Sequence, residues 1–464
     1  MKRKWIASLP WEAAPAIFSL AWPTMLEQLM QTAVQYIDTA MVGTLGTQAT
    51  AAVGATSTVG WLVGTTISAV GVGFLSYVSR ACGAKDFKGA RNAASQVVLA
   101  VLVLGTFFTA VTLGLSGKVP GWMQVDPSIR EVASQYFFIL YTPMLARAAI
   151  ILFGTLLRSA GDTKTPMLVG LLVNGVNVIL NFLLIYPSRE IWGIGIWGAG
   201  MGVLGAAVAS AVSFLVGGIC ITLVLWKHDM VSPKGQSIKP DWKVLKPCLR
   251  VALPNGLQRF GTSLGFVAFA AMINSLGEVS TAAHTIANTV ESAFYIPGYG
   301  MQMAAATLAG NALGARDNRR VRDLARMTIF IEVSLMILSG GLLFAFAPNM
   351  MSLFSKDPQV IALGSTVLRM VAVSEPFYGV SIIIEGMMQG MGNTVLPFLF
   401  GISGMWGVRI VGSFICTQIL GLGLVSAWGC MIAHNLTVFL LFLLCYLSGQ
   451  WNPMDPRYKS RKKA

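Results

Sequence analysis

Five polar residues recur along one otherwise apolar stretch of this chain: Thr24, Gln28, Gln31, Gln35 and Asp38. Their spacings of 4, 3, 4 and 3 put them within an arc of about 80° on one face of a helix, at about 100° per residue. A carboxyl group, three carboxamides and a hydroxyl on one edge can bind a cation or a polar ligand. If that helix lies in lipid, the edge must face protein or water, because an ionised side chain at mid-bilayer costs at least ~2.5–3.5 kcal/mol. A desolvated Asp38 can then take up and release a proton near neutral pH, or, ionised, bind sodium through hard oxygen. The alternative is that Asp38 only hydrogen-bonds a neighbouring helix. A second set, Asn174, Asn177 and Asn181, recurs at spacings of three and four on another apolar stretch. Amide oxygens can ligate sodium, and amide N–H groups can donate to a carboxylate.

The elements that position these residues follow from composition. Of 464 residues, 55% are hydrophobic and 11% charged, with mean hydropathy +0.68, against roughly 25% charged in soluble domains. Apolar runs of span length are expected near 18–43, 50–79, 93–117, 132–157, 165–187, 199–226, 251–274, 282–311, 325–347, 360–388, 396–419 and 424–448. Runs of that length are membrane helices, and the alternating ten-residue strands of a barrel are missing. Lysine and arginine sort by side. Of 33, 25 fall in 2–4, 80–91, 158–164, 227–250, 316–326 and 457–463. Lys118, Arg130, Arg189 and Lys356 fall on the other side, and Arg147, Arg259, Arg369 and Arg409 within spans. This asymmetry predicts cytoplasmic termini in a plasma (inner) membrane. It also accounts for the net charge of +14 without a nucleic-acid partner. The basic start is not followed by a short apolar core with a cleavage site, so the first span is expected to stay in the mature protein.

The chain is built twice. Residues 21–166 repeat at 252–397 with a constant shift of 231. Gly83-Ala84-Lys85-Asp86 lies over Gly314-Ala315-Arg316-Asp317, Asp126-Pro127 over Asp357-Pro358, and Pro23 over Pro254. An even number of spans separates the copies, so they are parallel repeats, a plan used by transporters with a site between the halves. The expectation is an all-α membrane protein: twelve transmembrane helices in two six-helix lobes around a central cavity. The lobes are 1–226 and 251–448, joined by a linker at 227–250 and followed by a basic tail at 449–464. The shift falls to 221 at the match of Gly202-Val203-Leu204 with Gly423-Leu424-Val425. The first lobe therefore has ten extra residues near Pro187–Trp197, read as a longer external loop.

The second lobe does not copy the first. Phe269 stands where Asp38 would recur. Instead there are Glu291 and Tyr295, then Glu375, Tyr378 and Glu385. Glu291 and Glu375 are read as cation-binding residues or a second proton site; the alternative is an ion pair with Arg259 or Arg409. Glu27, Glu332 and Glu385 are expected to snorkel or pack. Gln31, Gln35, Glu291, Tyr295, Glu375 and Tyr378 are the expected cavity lining. The six cysteines lack a CxxC and are read as unpaired thiols in spans or on the cytoplasmic side, not as a disulfide or metal set. Three scattered histidines and the lack of HExxH or a glycine-rich phosphate loop argue against an enzyme, a cofactor or ATP drive. Several prolines interrupt or begin spans, and Pro23 is the most suggestive, since proline removes a helical hydrogen bond and permits bending.

These residues resemble the multidrug and toxic compound extrusion (MATE) transporters over nearly the whole chain. The resemblance rests on Ile37-Asp-Thr-Ala-Met-Val-Gly43, on Gly83, Ala84 and Asp86, and on Leu157-Arg-Ser-Ala-Gly-Asp-Thr-Lys-Thr-Pro166. Asn177-Val-Ile-Leu-Asn181 and Gly202-Val-Leu-Gly-Ala-Ala207 add to it. It implies an antiporter that exports organic, often cationic compounds in exchange for protons or sodium. It implies that Asp38 is the acidic position of the first span, beside Asn177 and Asn181, and that protonation there couples to a bend at Pro23. Some members carry aspartate at the position of Asn181 and threonine near Ser210, and some branches carry glutamate where Thr262 stands. The partners expected are small organic molecules and membrane lipid, with the protein acting as a monomer. The rival reading, a flippase for lipid-linked precursors, calls for several cavity arginines, and the first lobe has only Arg147 in a span.

Overall fold

A computed structural model of the protein describes residues 9–123, 125–191 and 194–458. The terminal residues Lys2, Arg3, Lys4, Lys459, Arg461, Lys462 and Lys463 of the basic clusters lie outside these, as do Trp192 and Gly193. Twelve long helical segments run through the described residues. The first six are α1 (Ala14–Gly43), α2 (Thr47–Gly83), α3 (Phe87–Leu115), α4 (Arg130–Tyr141 with Met144–Ser159), α5 (Lys164–Leu184) and α6 (Val203–Lys227). The second six are α7 (Trp242–Asn274), α8 (Glu278–Phe294 with Ile296–Gly314), α9 (Asn318–Ser352), α10 (Pro358–Gly390), α11 (Val395–Ile419) and α12 (Leu424–Leu447). Eight are long and apolar enough to cross a membrane by length and composition, and α4 is a ninth when its halves are taken together. The helix α1 is not among them, because it carries the glutamine edge. The halves of α4 meet at Pro143 with a bend of 47°, as expected where proline removes a backbone donor. Pro23, by contrast, sits inside an unbroken α1.

The repeat is written into the backbone. Gly46 and Gly277 have φ of +106° and +98°, and the next matched pair, Lys85 and Arg316, have φ of +59° and +57°. Left-handed lysine or arginine is uncommon, so the same exception 231 residues apart marks one turn used twice. Each is followed by an aspartate that caps the next helix: Asp86 Oδ1 accepts from Gly89 N and Asp317 Oδ1 from Arg320 N, both at 2.9 Å. Such caps satisfy donors that a helix start leaves free.

Two compact units emerge from the packing. One gathers the described residues of Met1–Met25, Ser79–Lys85 and Leu249–Ala464; the other holds Leu26–Val78 and Asp86–Cys248. The second unit contains the linker: Asn92 Nδ2 donates to Asp241 Oδ2 at 2.8 Å, and Gln96 bonds Lys239 O and Asp241 N at 3.0 and 2.9 Å. It also contains the region of the ten extra residues, read as a longer loop, where β1 (Pro187–Ile191) pairs antiparallel with β2 (Ile194–Ala199). In the first unit, Ile17, Leu20 and Ala21 of α1 share a core with Met301, Ala305, Ile383 and Met387. Thr24 Oγ1 there donates to Ala21 O at 2.7 Å and lies 3.2 Å from Gly300 O. Glycine lets the backbones approach closely, as is common between membrane helices: a Cβ on Gly314 would collide with Arg80 O, and one on Gly83 with Asn311 O.

Candidate functional site

The site is built where α1 passes α5 and α6 within the second unit. Two residues one turn apart on α5, Asn177 and Asn181, face the same way and are 6% and 1% exposed. Asn181 Nδ2 donates to Asp38 Oδ1 at 2.6 Å and to Asn177 Oδ1 at 3.1 Å. One arm of the Asn177 amide lies 2.9 Å from Asp38 Oδ1 and 3.1 Å from Oδ2, and the other 3.0 Å from Ser210 Oγ on α6. Asn181 Oδ1 is buried without a partner.

This geometry depends on what Asp38 carries. If the near arm of Asn177 is its N–H₂, it donates to an ionised carboxylate, and the far oxygen accepts from Ser210. If the near arm is the oxygen, two oxygens stand 2.9 Å apart and need a shared proton or cation between them. A hydroxyl both gives and accepts, so Ser210 serves either orientation. The oxygens that face each other for a hard cation are those of Asp38 and, when its near arm is the oxygen, Asn177 Oδ1; Asn181 turns its N–H₂ to Asp38, so its unpartnered Oδ1 could join them only after the amide rotates. Asn174 is only partly buried and takes no part in this network. Gln28, Gln31 and Gln35 are exposed and Thr24 is buried, so the polar edge opens towards Asp38 and closes at Thr24.

Two residues of α4 add to these surroundings: Arg147, expected within a span, and Tyr136, which the sequence did not single out. Tyr136 of α4 is buried beside Val42 and lies within electrostatic range of Asp38. Arg147, also on α4, hydrogen-bonds the Tyr141 hydroxyl and stacks 5.2 Å from the Phe214 ring centre. Gly60 leaves the room for both: a Cβ there would come 2.7 Å from Tyr141 Oη and 3.6 Å from Arg147 Nη1. Glu27 does not snorkel. Its two oxygens accept from Arg158 Nη2 at 2.6 and 2.7 Å.

In the other unit, Glu291 and Glu375 are buried, and neither is among the ion pairs of the described residues. Glu375 Oε2 accepts from Ser339 Oγ at 3.4 Å, Glu291 hydrogen-bonds Tyr295, and the Tyr295 and Tyr378 rings meet edge to face at 5.4 Å. Arg409 is 4% exposed, with its guanidinium 4.1 Å over Phe269 and 5.0 Å from Phe266. Its charge reaches Glu291 through space rather than by contact. Glu385 accepts from Gln258 and Gln389 at 3.0 and 2.9 Å instead of snorkelling. Glu332 is fully buried and both its oxygens lack partners. Cys416 and Cys430, read as unpaired thiols, are both free and lie with sulfurs 3.8 Å apart.

Comparison with known proteins agrees with this plan. The family model MatE matches twice, at 23–183 and 254–415, one match to each copy of the repeat. The probable multidrug resistance protein NorM of Thermotoga maritima is 29% identical over 459 residues, covering 98% of this chain and 97% of its own. A MATE crystal structure in complex with MaL6 superposes with TM-score 0.86 at 25% identity, over 93% of this chain and 95% of that one. One of MATE in the bent conformation gives 0.85 at 25% identity, over 93% and 94%. With its twin helical lobes and a family match to each, this chain belongs to the MatE family of multi-pass multidrug efflux transporters.

Proposed function

We propose that this transporter is a secondary antiporter that exports organic, often cationic and hydrophobic compounds in exchange for protons or sodium ions. The coupling ion is held by Asp38, Asn177, Asn181 and Ser210. The observation that carries this reading is the meeting of Asp38 with two buried amides, Asn181 Nδ2 at 2.6 Å and one arm of Asn177 at 2.9 Å. A ligand shifts a conformational equilibrium only by its difference in affinity for the two states. Binding of a proton or sodium ion removes the charge on Asp38 and so supplies such a difference, which passes along α1 towards Pro23. Gln31 and Gln35 on α1, with Glu291, Tyr295, Glu375 and Tyr378 in the other half, contact cargo. The protein works as a monomer in the plasma membrane with both termini cytoplasmic.

Asp38→Asn in everted membrane vesicles tests this. Gradient-driven export of a fluorescent cation is expected to vanish at normal protein level, and unchanged export overturns the assignment. Collapse of wild-type export by a protonophore, or by sodium removal, identifies the ion.

A further inference from the structure

The Cys416 and Cys430 sulfurs lie 3.8 Å apart, on the last turns of α11 and the second turn of α12. Gly412, one turn before Cys416, makes room for the contact: a Cβ there would come 3.1 Å from the Cys430 sulfur. Both cysteines are partly exposed. The end of α11 they flank is irregular. It runs in wide turns from Ile415 to Ile419 and closes through Leu420 N to Ile415 O at 2.9 Å and Leu422 N to Cys416 O at 2.8 Å. Gly421 then turns the chain with φ +64°.

The other four cysteines sit elsewhere. Cys82 ends α2, Cys220 is two turns from the end of α6, Cys248 opens α7, and Cys445 is in the last turn of α12. By the lysine and arginine distribution these ends are cytoplasmic, where thiols stay reduced. The two cysteines at the opposite end are the two that meet, on the side where disulfides persist.

We propose that Cys416 and Cys430 are a disulfide-forming pair that fastens α11 to α12 at the external end of the second lobe. The oxidant is an oxidised dithiol carrier outside the membrane. The thiolate of one cysteine attacks the carrier disulfide, giving a mixed disulfide and one carrier thiol. The thiolate of the other cysteine then displaces the second carrier sulfur. Two protein thiols become one disulfide, and the carrier leaves as a dithiol with both electrons and both protons. The bond encloses the glycine turn and holds the irregular end of α11 in place. The proposal rests on the orientation adopted above.

The test starts from cells quenched in acid, so that native thiols are preserved. Free thiols are blocked with N-ethylmaleimide, the protein is reduced, and newly exposed thiols are labelled with a polyethylene-glycol maleimide. Two labels are expected, mapped by peptide mass to Cys416 and Cys430, with none in Cys416→Ser. Reductant should lower the melting temperature of the wild type and leave that of Cys416→Ser unchanged. Blocking of both thiols in the first step overturns the proposal, as does a crosslink of either to another partner. Leu420→Cys, in a chain whose six cysteines are replaced by serine, checks the orientation separately. Labelling of this variant in intact cells by an impermeant maleimide places the turn outside. If free native thiols accompany that labelling, the pairing fails alone; if the variant is not labelled, the orientation fails and the pair with it.

Discussion

The Glu27–Arg158 contact gives a stability prediction that the packing makes quantitative. Both Glu27 oxygens accept from one guanidinium nitrogen, at 2.6 and 2.7 Å, and the side chains are 21% and 14% exposed. Charges about 4 Å apart attract by about 4 kcal/mol at an effective dielectric constant near 20. Desolvation and side-chain ordering take back roughly half or more of that. Exposed pairs are worth only ~0–1 kcal/mol, whereas removing one partner of a buried pair costs ~3–5 kcal/mol. Partial burial places the coupling between these limits, at about 1–2 kcal/mol, or roughly 5- to 30-fold in an equilibrium constant. The measurement is a double-mutant cycle of Glu27→Ala and Arg158→Ala, read by thermal unfolding in detergent. Each single variant is expected to melt lower than the wild type, with Arg158→Ala the worse because it strands a partly buried carboxylate. The double variant should cost less than the two singles summed. The exchange Glu27→Arg with Arg158→Glu should recover part of the loss. Additive single effects would refute the reasoning, because they would mean that the two groups stabilise the protein independently.

Three further outcomes follow from particular contacts. Gly314→Ala, whose Cβ would collide with Arg80 O, is expected to cost ~1–3 kcal/mol; Gly175→Ala, with open space around it, should leave the melting temperature unchanged or raised. Glu332→Met replaces a fully buried carboxyl without partners and should raise the melting temperature, since an unsatisfied buried polar group costs about 1–3 kcal/mol; a fall would reveal a partner for the carboxyl. Hydrogen bonds from Asn92 and from Lys243 N hold the Asp241 carboxyl below its usual range. A depressed carboxylate stabilises the fold above its unfolded pKa and loses that contribution as pH falls through the folded value. The linker clip should therefore be intact at neutral pH and loosen only in acid. Protease nicking of 228–241, followed against pH, should begin at higher pH in Asn92→Ala than in the wild type.

How much of this was legible in the sequence varied with the physics involved. Helical spacing placed Asp38 and the two asparagines on faces that meet, because a polar edge on a membrane helix has few places to go. The same rule also selected Asn174, which shares their face but lies about 10 Å further along α5 from Asn181 and takes no part in the network. Tyr136 gave no signal, since an aromatic residue in an apolar run reads as core until its neighbour proves to be a carboxyl. Glu27 and Arg158 are 131 positions apart, and no local pattern could pair them. The hairpin at Pro187–Ala199 was masked by its glycines, which favour turns over strands. Of the two courses expected for Glu332, snorkelling or packing, it takes the second: it is buried beside Gly298 and Gly379, whose missing side chains leave its space.

The two copies of the repeat have diverged at the position that matters most for coupling. In the first, Asp38 on α1 meets Asn181 on α5. A shift of 231 carries these positions to Phe269 on α7 and Gly412 on α11. The second lobe therefore has no carboxyl group there and no amide to receive it. It has the guanidinium of Arg409, carried on α11 and lying 4.1 Å over the face of Phe269. An aromatic face attracts a desolvated cation by about 2 kcal/mol, and arginine is effectively always charged. Between the corresponding helices the second lobe thus encloses a positive charge that is covalently attached. A tethered cation cannot leave and so cannot couple the lobe to a gradient. The place in the second lobe that corresponds to Asp38 and Asn181 is therefore already taken by a fixed charge. Glu291, buried in the same lobe, lies within electrostatic reach of that fixed guanidinium but makes no ion pair with it among the described residues.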